Sequence, residues 1–137
     1  MNDASVTGFH HVALTVSDLA RSAEFYERLL DLELTIDEHE ASRQAKVYRI
    51  TGTGAVLGLV QHATTADTMG EDSFRPDRIG LDHVAFAVSD RAAVDRWVER
   101  LDGLGIAHSG AIDIPVGAIL NFRDPDDIQL SIFWDQG

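Results

Sequence analysis

The 137-residue chain contains no cysteine. That absence excludes a disulfide framework, a thiol nucleophile, a thiolate zinc site and an iron–sulfur cluster. Any metal would be held by nitrogen and oxygen ligands. Positive charge is scarce: Lys and Arg number 11 against 23 Asp and Glu, for a net charge of −12. Such a field repels a phosphate backbone and an anionic bilayer, so neither nucleic acid nor membrane is an expected partner. It suits a cationic small molecule, although solubility alone accounts for an acidic surplus. Long apolar runs are missing. Stretches such as 55–60 are far too short to span a bilayer. The first eight residues hold no apolar signal core, so a cytoplasmic protein is expected. The nucleophile elbow, the phosphate loop, the dinucleotide fingerprint and the H-E-x-x-H zinc motif are all lacking.

What the chain does contain is an internal repeat. Residues 8–18 read G-F-H-H-V-A-L-T-V-S-D and residues 80–90 read G-L-D-H-V-A-F-A-V-S-D, at an offset of 72 without a gap. The register continues downstream, where Phe25 matches Trp97 and Glu27-Arg28-Leu29 matches Glu99-Arg100-Leu101. The sequence therefore reads as two related halves, 8–62 and 80–134, after a tail over 1–7 and around a polar, aperiodic linker over 63–79. Each half has a β-α-β-β-β layout. His11–Val16 alternates, with Val12, Leu14 and Val16 on the helix side and His11, Ala13 and Thr15 opposite. Asp18 and Asp90 are placed to cap the helices that follow. Leu19, Ala23, Tyr26 and Leu30 recur at helical spacing, as do Val94, Trp97, Val98 and Leu101. Further strands are expected near 33–38, 45–50 and 54–62, and near 106–113, 116–123 and 128–134.

In such a half the helix covers one face of the sheet and leaves the other open. His11 and His83 occupy equivalent positions on the uncovered side. A pair of imidazoles facing one cleft is the beginning of a divalent metal site. On the same alternation Gln129, Ser131 and Phe133 face the cleft, and Tyr48 is a further candidate there as an acid or hydrogen-bond donor. His39 and His108 read as solvated surface, and Phe25 and Trp97 as core.

The repeated H-V-A-x-x-V-S-D, the helix after it and F-R-D-P-D-D-I-Q-L at 122–130 resemble the vicinal oxygen chelate superfamily. That superfamily includes glyoxalase I, extradiol dioxygenases, fosfomycin resistance proteins and bleomycin resistance proteins. The resemblance implies an α+β fold in which two βαβββ modules form a cupped half-barrel sheet, one glyoxalase-like domain over 8–134. It also implies a homodimer and a small-molecule ligand. Metal enzymes of this kind take ligands from the first and last strands of each module. The first-strand positions correspond to His11 and His83. The last-strand positions, often Glu, correspond here to Gly58 and Ser131, and the usual D-P-D-G-N turn carries Asp127 for Gly and Ile128 for Asn.

Both carboxylates of the pattern are thus missing. Two neutral imidazoles hold a hard cation poorly against water. His62 lies two residues after Gly58 and could complete a displaced site with His11 and His83. It would suit zinc, nickel, iron or manganese, but a two-residue step is roughly 6.6 Å, a ligand's whole reach. Two functions follow from the resemblance. One is a divalent-metal-dependent lyase, isomerase or dioxygenase. The other is a metal-free protein that binds and sequesters a drug or metabolite.

Overall fold

The computed structural model describes residues 4–67 and 73–137. The chain divides into two compact units, Met1–Met69 and Gly70–Gly137. In the first, β1 (His11–Thr15) leads into α1 (Leu19–Leu29), followed by β2 (Leu32–His39), β3 (Arg43–Ile50) and β4 (Val56–His62). A short helix, α2 (Ala63–Asp67), follows β4 where the sequence suggests only linker. In the second, β5 (Val84–Ala87) leads into α3 (Arg91–Gly103), then β6 (His108–Ile114), β7 (Gly117–Arg123) and β8 (Gln129–Asp135). The sheets have the same topology, β1-β4-β3-β2 and β5-β8-β7-β6, and in each the first strand pairs parallel to the last.

Local chemistry fixes the helix starts. The Asp18 carboxylate accepts from the Arg21 N–H at 3.1 Å, and that of Asp90 from the Ala93 N–H at 2.7 Å. Each satisfies one of the N–H groups a helix start leaves unpaired. A second cap on α1 comes from the sheet, where Gln61 Oε1 accepts from the Leu19 N–H at 2.8 Å.

The core of each unit lies between its helix and one sheet face. In the first unit Leu14, Val16, Leu57 and Leu59 meet Leu19, Ala23, Tyr26 and Leu29. In the second, Leu120, Phe122, Leu130 and Ile132 pack with Val94 and Leu101. Trp97 is only half-buried, with the Arg100 guanidinium 5.7 Å from its ring centroid. Close approach requires glycine at the start of β7, since a Cβ on Gly117 would stand 1.8 Å from the Trp134 carbonyl oxygen.

Candidate functional site

The uncovered face of each sheet follows from strand alternation and register. In β8, Leu130 and Ile132 turn to the core, so Gln129, Ser131 and Phe133 turn away from it. Their partners on β7 are Arg123, Asn121 and Ile119. On the other side Ala85 of β5 stands beside Ser131, and His83 immediately precedes β5 on the same face. In the first unit the corresponding row has Ala13 beside Gly58 and Val47 beyond it, with His11 beside Val56. His62, the last residue of β4, shares the alternation of Gly58.

Tyr48 departs from the expectation that it reaches this face. It pairs with Leu57, a core residue, and therefore shares the helix side. It is 1% exposed, and its hydroxyl donates to Glu27 Oε1 at 2.7 Å. Burial, with the Glu27 carboxylate second, pushes its ionisation well above the usual tyrosine value of 10.0. A neutral, committed hydroxyl under α1 takes no part in chemistry on the opposite face.

One end of the second unit's open face forms a depression of about 680 Å³. At this end β7 runs out into the Asp124–Asp127 turn, and β5, β6 and β8 begin. Its floor is His83, Asn121, Arg123, Gln129 and Ser131, and its walls include Ile106, His108, Ser109 and Asp127. Phe133 stands farther along the same face, outside the depression. The turn is braced by Asp124, which is buried and accepts from the Asp126 and Ile128 N–H groups at 2.8 and 2.9 Å. Asp127 completes the turn at φ 64°, a left-handed conformation that Asp and Asn tolerate better than most residues.

Polar groups in the depression are partly committed. Ser131 Oγ donates to Asn121 Oδ1 at 2.8 Å, which points the Asn121 amide nitrogen away from Ser131. His83 Nδ1 lies 2.8 Å from Asp82 Oδ1. A carboxylate only accepts, so Nδ1 carries the proton and Nε2 is left as the accepting nitrogen. His108, read from sequence as solvated surface, has only 13% of its side chain exposed and lines the wall. Its Nδ1 accepts from the Gly110 N–H at 2.9 Å, and its Nε2 donates to Asp102 on α3 at 2.6 Å. Gly110, at φ 74°, sits in the bulge that interrupts the β6–β7 register. His108 is thus a strut between bulge and helix, with both nitrogens occupied. Sequence reasoning missed it and also Arg123 and Asn121. The alternation of 119–123 carried a signal for the last two, but nothing local announced the bulge. In the first unit, the His10 and His11 Nδ1 atoms lie 2.9 Å apart with the rings edge to face, so one donates to the other.

The residues at the superfamily's metal positions do not form a fitting ligand set. Gly58 supplies no donor, and a Cβ there would stand 3.3 Å from the Ala13 Cβ, a tight contact that asks the neighbouring strand to give slightly. Ser131 is 3% exposed and its hydroxyl proton is given to Asn121. Among the described residues no three His, Cys, Asp or Glu side chains cluster so as to hold a metal ion. No helix among them is long and apolar enough to cross a membrane.

Comparison with known proteins gives a family and several folds. The family model for the Glyoxalase/Bleomycin resistance protein/Dioxygenase superfamily matches residues 8–132. No curated protein matches the chain. Among solved structures, a glyoxylase/bleomycin resistance protein/dioxygenase domain from Frankia sp. EAN1pec is 33% identical, with a TM-score of 0.85 over 96% of this chain and 100% of that one. A mutant of the genomically encoded fosfomycin resistance protein FosX from Listeria monocytogenes was solved with Mn(II) and 1S,2S-dihydroxypropylphosphonic acid. It is 21% identical, with a TM-score of 0.68 over 93% of this chain and 90% of that one. TnmS3, an antibiotic binding protein from a Streptomyces species, is 19% identical, with a TM-score of 0.72 over 96% and 98% of the two chains.

Proposed function

From the premise that this chain belongs to the Glyoxalase/Bleomycin resistance protein/Dioxygenase superfamily, we propose that it binds a small organic molecule on its open sheet faces without a resident metal, as a sequestering protein. The observation that carries this reading is the donor set. Gly58 and Ser131 stand where the metal enzymes keep carboxylates, and Ser131 is occupied by Asn121. Without an anionic ligand, imidazoles alone leave a divalent ion short of charge and of fixed geometry. The depression in the second unit has the size and mixed polarity of a small-molecule site. TnmS3, similar in fold, is an antibiotic binding protein, which is in keeping with this use of the scaffold.

One observation favours the second reading, a divalent-metal-dependent lyase, isomerase or dioxygenase. The Asp82 carboxylate holds His83 Nδ1 and leaves Nε2 as the accepting nitrogen, the way a carboxylate behind a ligating imidazole fixes its tautomer. Elemental analysis of protein purified without chelator separates the two readings, together with thermal shift on adding zinc, nickel, iron or manganese. The sequestering reading expects substoichiometric metal and no shift beyond that of the His11→Ala and His83→Ala variants. Near-stoichiometric metal that both variants lose would establish the metal enzyme instead. The proposal also includes a cytoplasmic homodimer, whose stoichiometry sedimentation equilibrium reads directly.

A further inference from the structure

Acidic residues outnumber basic ones about two to one in this chain, 23 to 11. A cation in it has no shortage of counter-charges. Nine of the eleven Lys and Arg side chains are accordingly engaged. Seven are Arg28, Arg43, Lys46, Arg75, Arg78, Arg91 and Arg96, beside carboxylates. The other two are Arg21, on the Ser17 hydroxyl, and Arg100, over the Trp97 ring. The remaining two, Arg49 and Arg123, make no ion pair, side-chain hydrogen bond or ring contact among the described residues.

These two stand at matching points of the repeat. Arg49 pairs with Val56, which pairs with His11. Arg123 pairs with Gln129, which begins β8 on the same face as His83. Each open face therefore carries an unpaired guanidinium one strand removed from the strand that borders its repeated histidine. In the second unit, where the depression is formed, Arg123 lines it together with Gln129 and Asn121, whose Oδ1 is taken by Ser131 and whose amide nitrogen is left as a donor. Of the acids nearby, Asp127 lines the same depression but makes no ion pair or hydrogen bond with Arg123 among the described residues. Asp124 is spent on the turn and Asp82 on His83.

A planar guanidinium with carboxamide donors around it is the arrangement that receives a carboxylate through two parallel N–H···O bonds. We propose that the depression binds a small carboxylate-bearing molecule with Arg123 as its anchor, against the cationic preference that the net charge suggests. This rests on the reading of that face as a small-molecule site. The aliphatic Ile106 and Ile119 at the depression suit an apolar body behind the charged head.

The test uses three probes of nearly equal shape, benzoate, benzamide and benzylammonium, titrated into the full chain at constant ionic strength and followed by backbone amide NMR. Saturable shifts at the Asn121, Arg123 and Ser131 amides are expected for benzoate, with affinity about tenfold above benzamide and benzylammonium. Arg123→Gln, at an exposed position that leaves the fold intact, is expected to bring benzoate down to the benzamide level. Arg123→Lys is expected to retain part of the preference. Equal affinity for all three probes, a preference for benzylammonium, or a benzoate preference that survives Arg123→Gln would overturn the anion assignment and leave the small-molecule reading standing. No saturable shift with any probe would overturn both.

Discussion

At the scale of single residues, the facing of a side chain decides whether it belongs to the site or to the core. His11, His83, Gln129, Ser131 and Phe133 stand on the faces that alternation assigns them, because a regular strand keeps its period of two. Tyr48 escaped that rule since its facing depends on pairing with Leu57, a register the sequence does not state. Its hydrogen bond to Glu27 makes a prediction. Tyr48→Phe should lower stability by about 1 kcal/mol in denaturant titrations, the typical worth of such a bond, and leave ligand binding unchanged. The pH dependence has a definite sign. The folded chain holds the Tyr48 proton to a higher pH than the unfolded chain, whose tyrosine ionises near 10.0. Its contribution is therefore complete below about pH 10 and is lost as pH rises through the folded value. Alkaline destabilisation above pH 10 should be shallower in Tyr48→Phe than in the parent.

At the scale of elements, capping and the succession of elements along the chain were legible and the irregularities were not. Asp18 and Asp90 cap as their position before an amphipathic run requires, and all seven strands given a span from the sequence lie within two residues of it at both ends. The short helix at 63–67 and the bulge at Gly110 leave no periodic trace, and with the bulge went the placing of His108. Helix α1 carries one anomaly. The Ser22 hydroxyl is fully buried against the sheet and has no hydrogen-bond partner among the described residues. Removing an unsatisfied buried polar atom eliminates its desolvation cost, and Ala is the better helix former. Ser22→Ala should stabilise the chain by about 1 kcal/mol, read as a higher denaturant midpoint with unchanged slope.

At the scale of the whole molecule the governing quantity is charge. A net −12 on 137 residues sets most surface groups against one another, and the ion pairs present are largely exposed, where each contributes little. Salt screens the repulsion over a Debye length of about 10 Å at 0.1 M. Raising ionic strength from about 10 mM to about 0.5 M should therefore raise the melting temperature by a few degrees. A melting temperature that falls with salt would mean that the specific ion pairs outweigh the general repulsion. The repeat made the two-part organisation readable, but charge totals alone do not set the sign of a ligand at one depression. They count Arg123 together with ten cations that are engaged or lie outside the depression.

The parallel pairing of first and last strands in each sheet has a consequence for how the chain is made. Strands β2, β3 and β4 zip together as neighbours along the chain, each antiparallel to the next. Strand β1 leaves the ribosome roughly 45 residues ahead of the segment it must pair with, so it waits with its hydrogen-bonding groups open while the others assemble. The pairing that places a histidine next to its sheet is thus the step with the greatest loop-closure cost in its unit. Both units carry the same delay, and in both the open face is complete only when the oldest strand docks onto the newest.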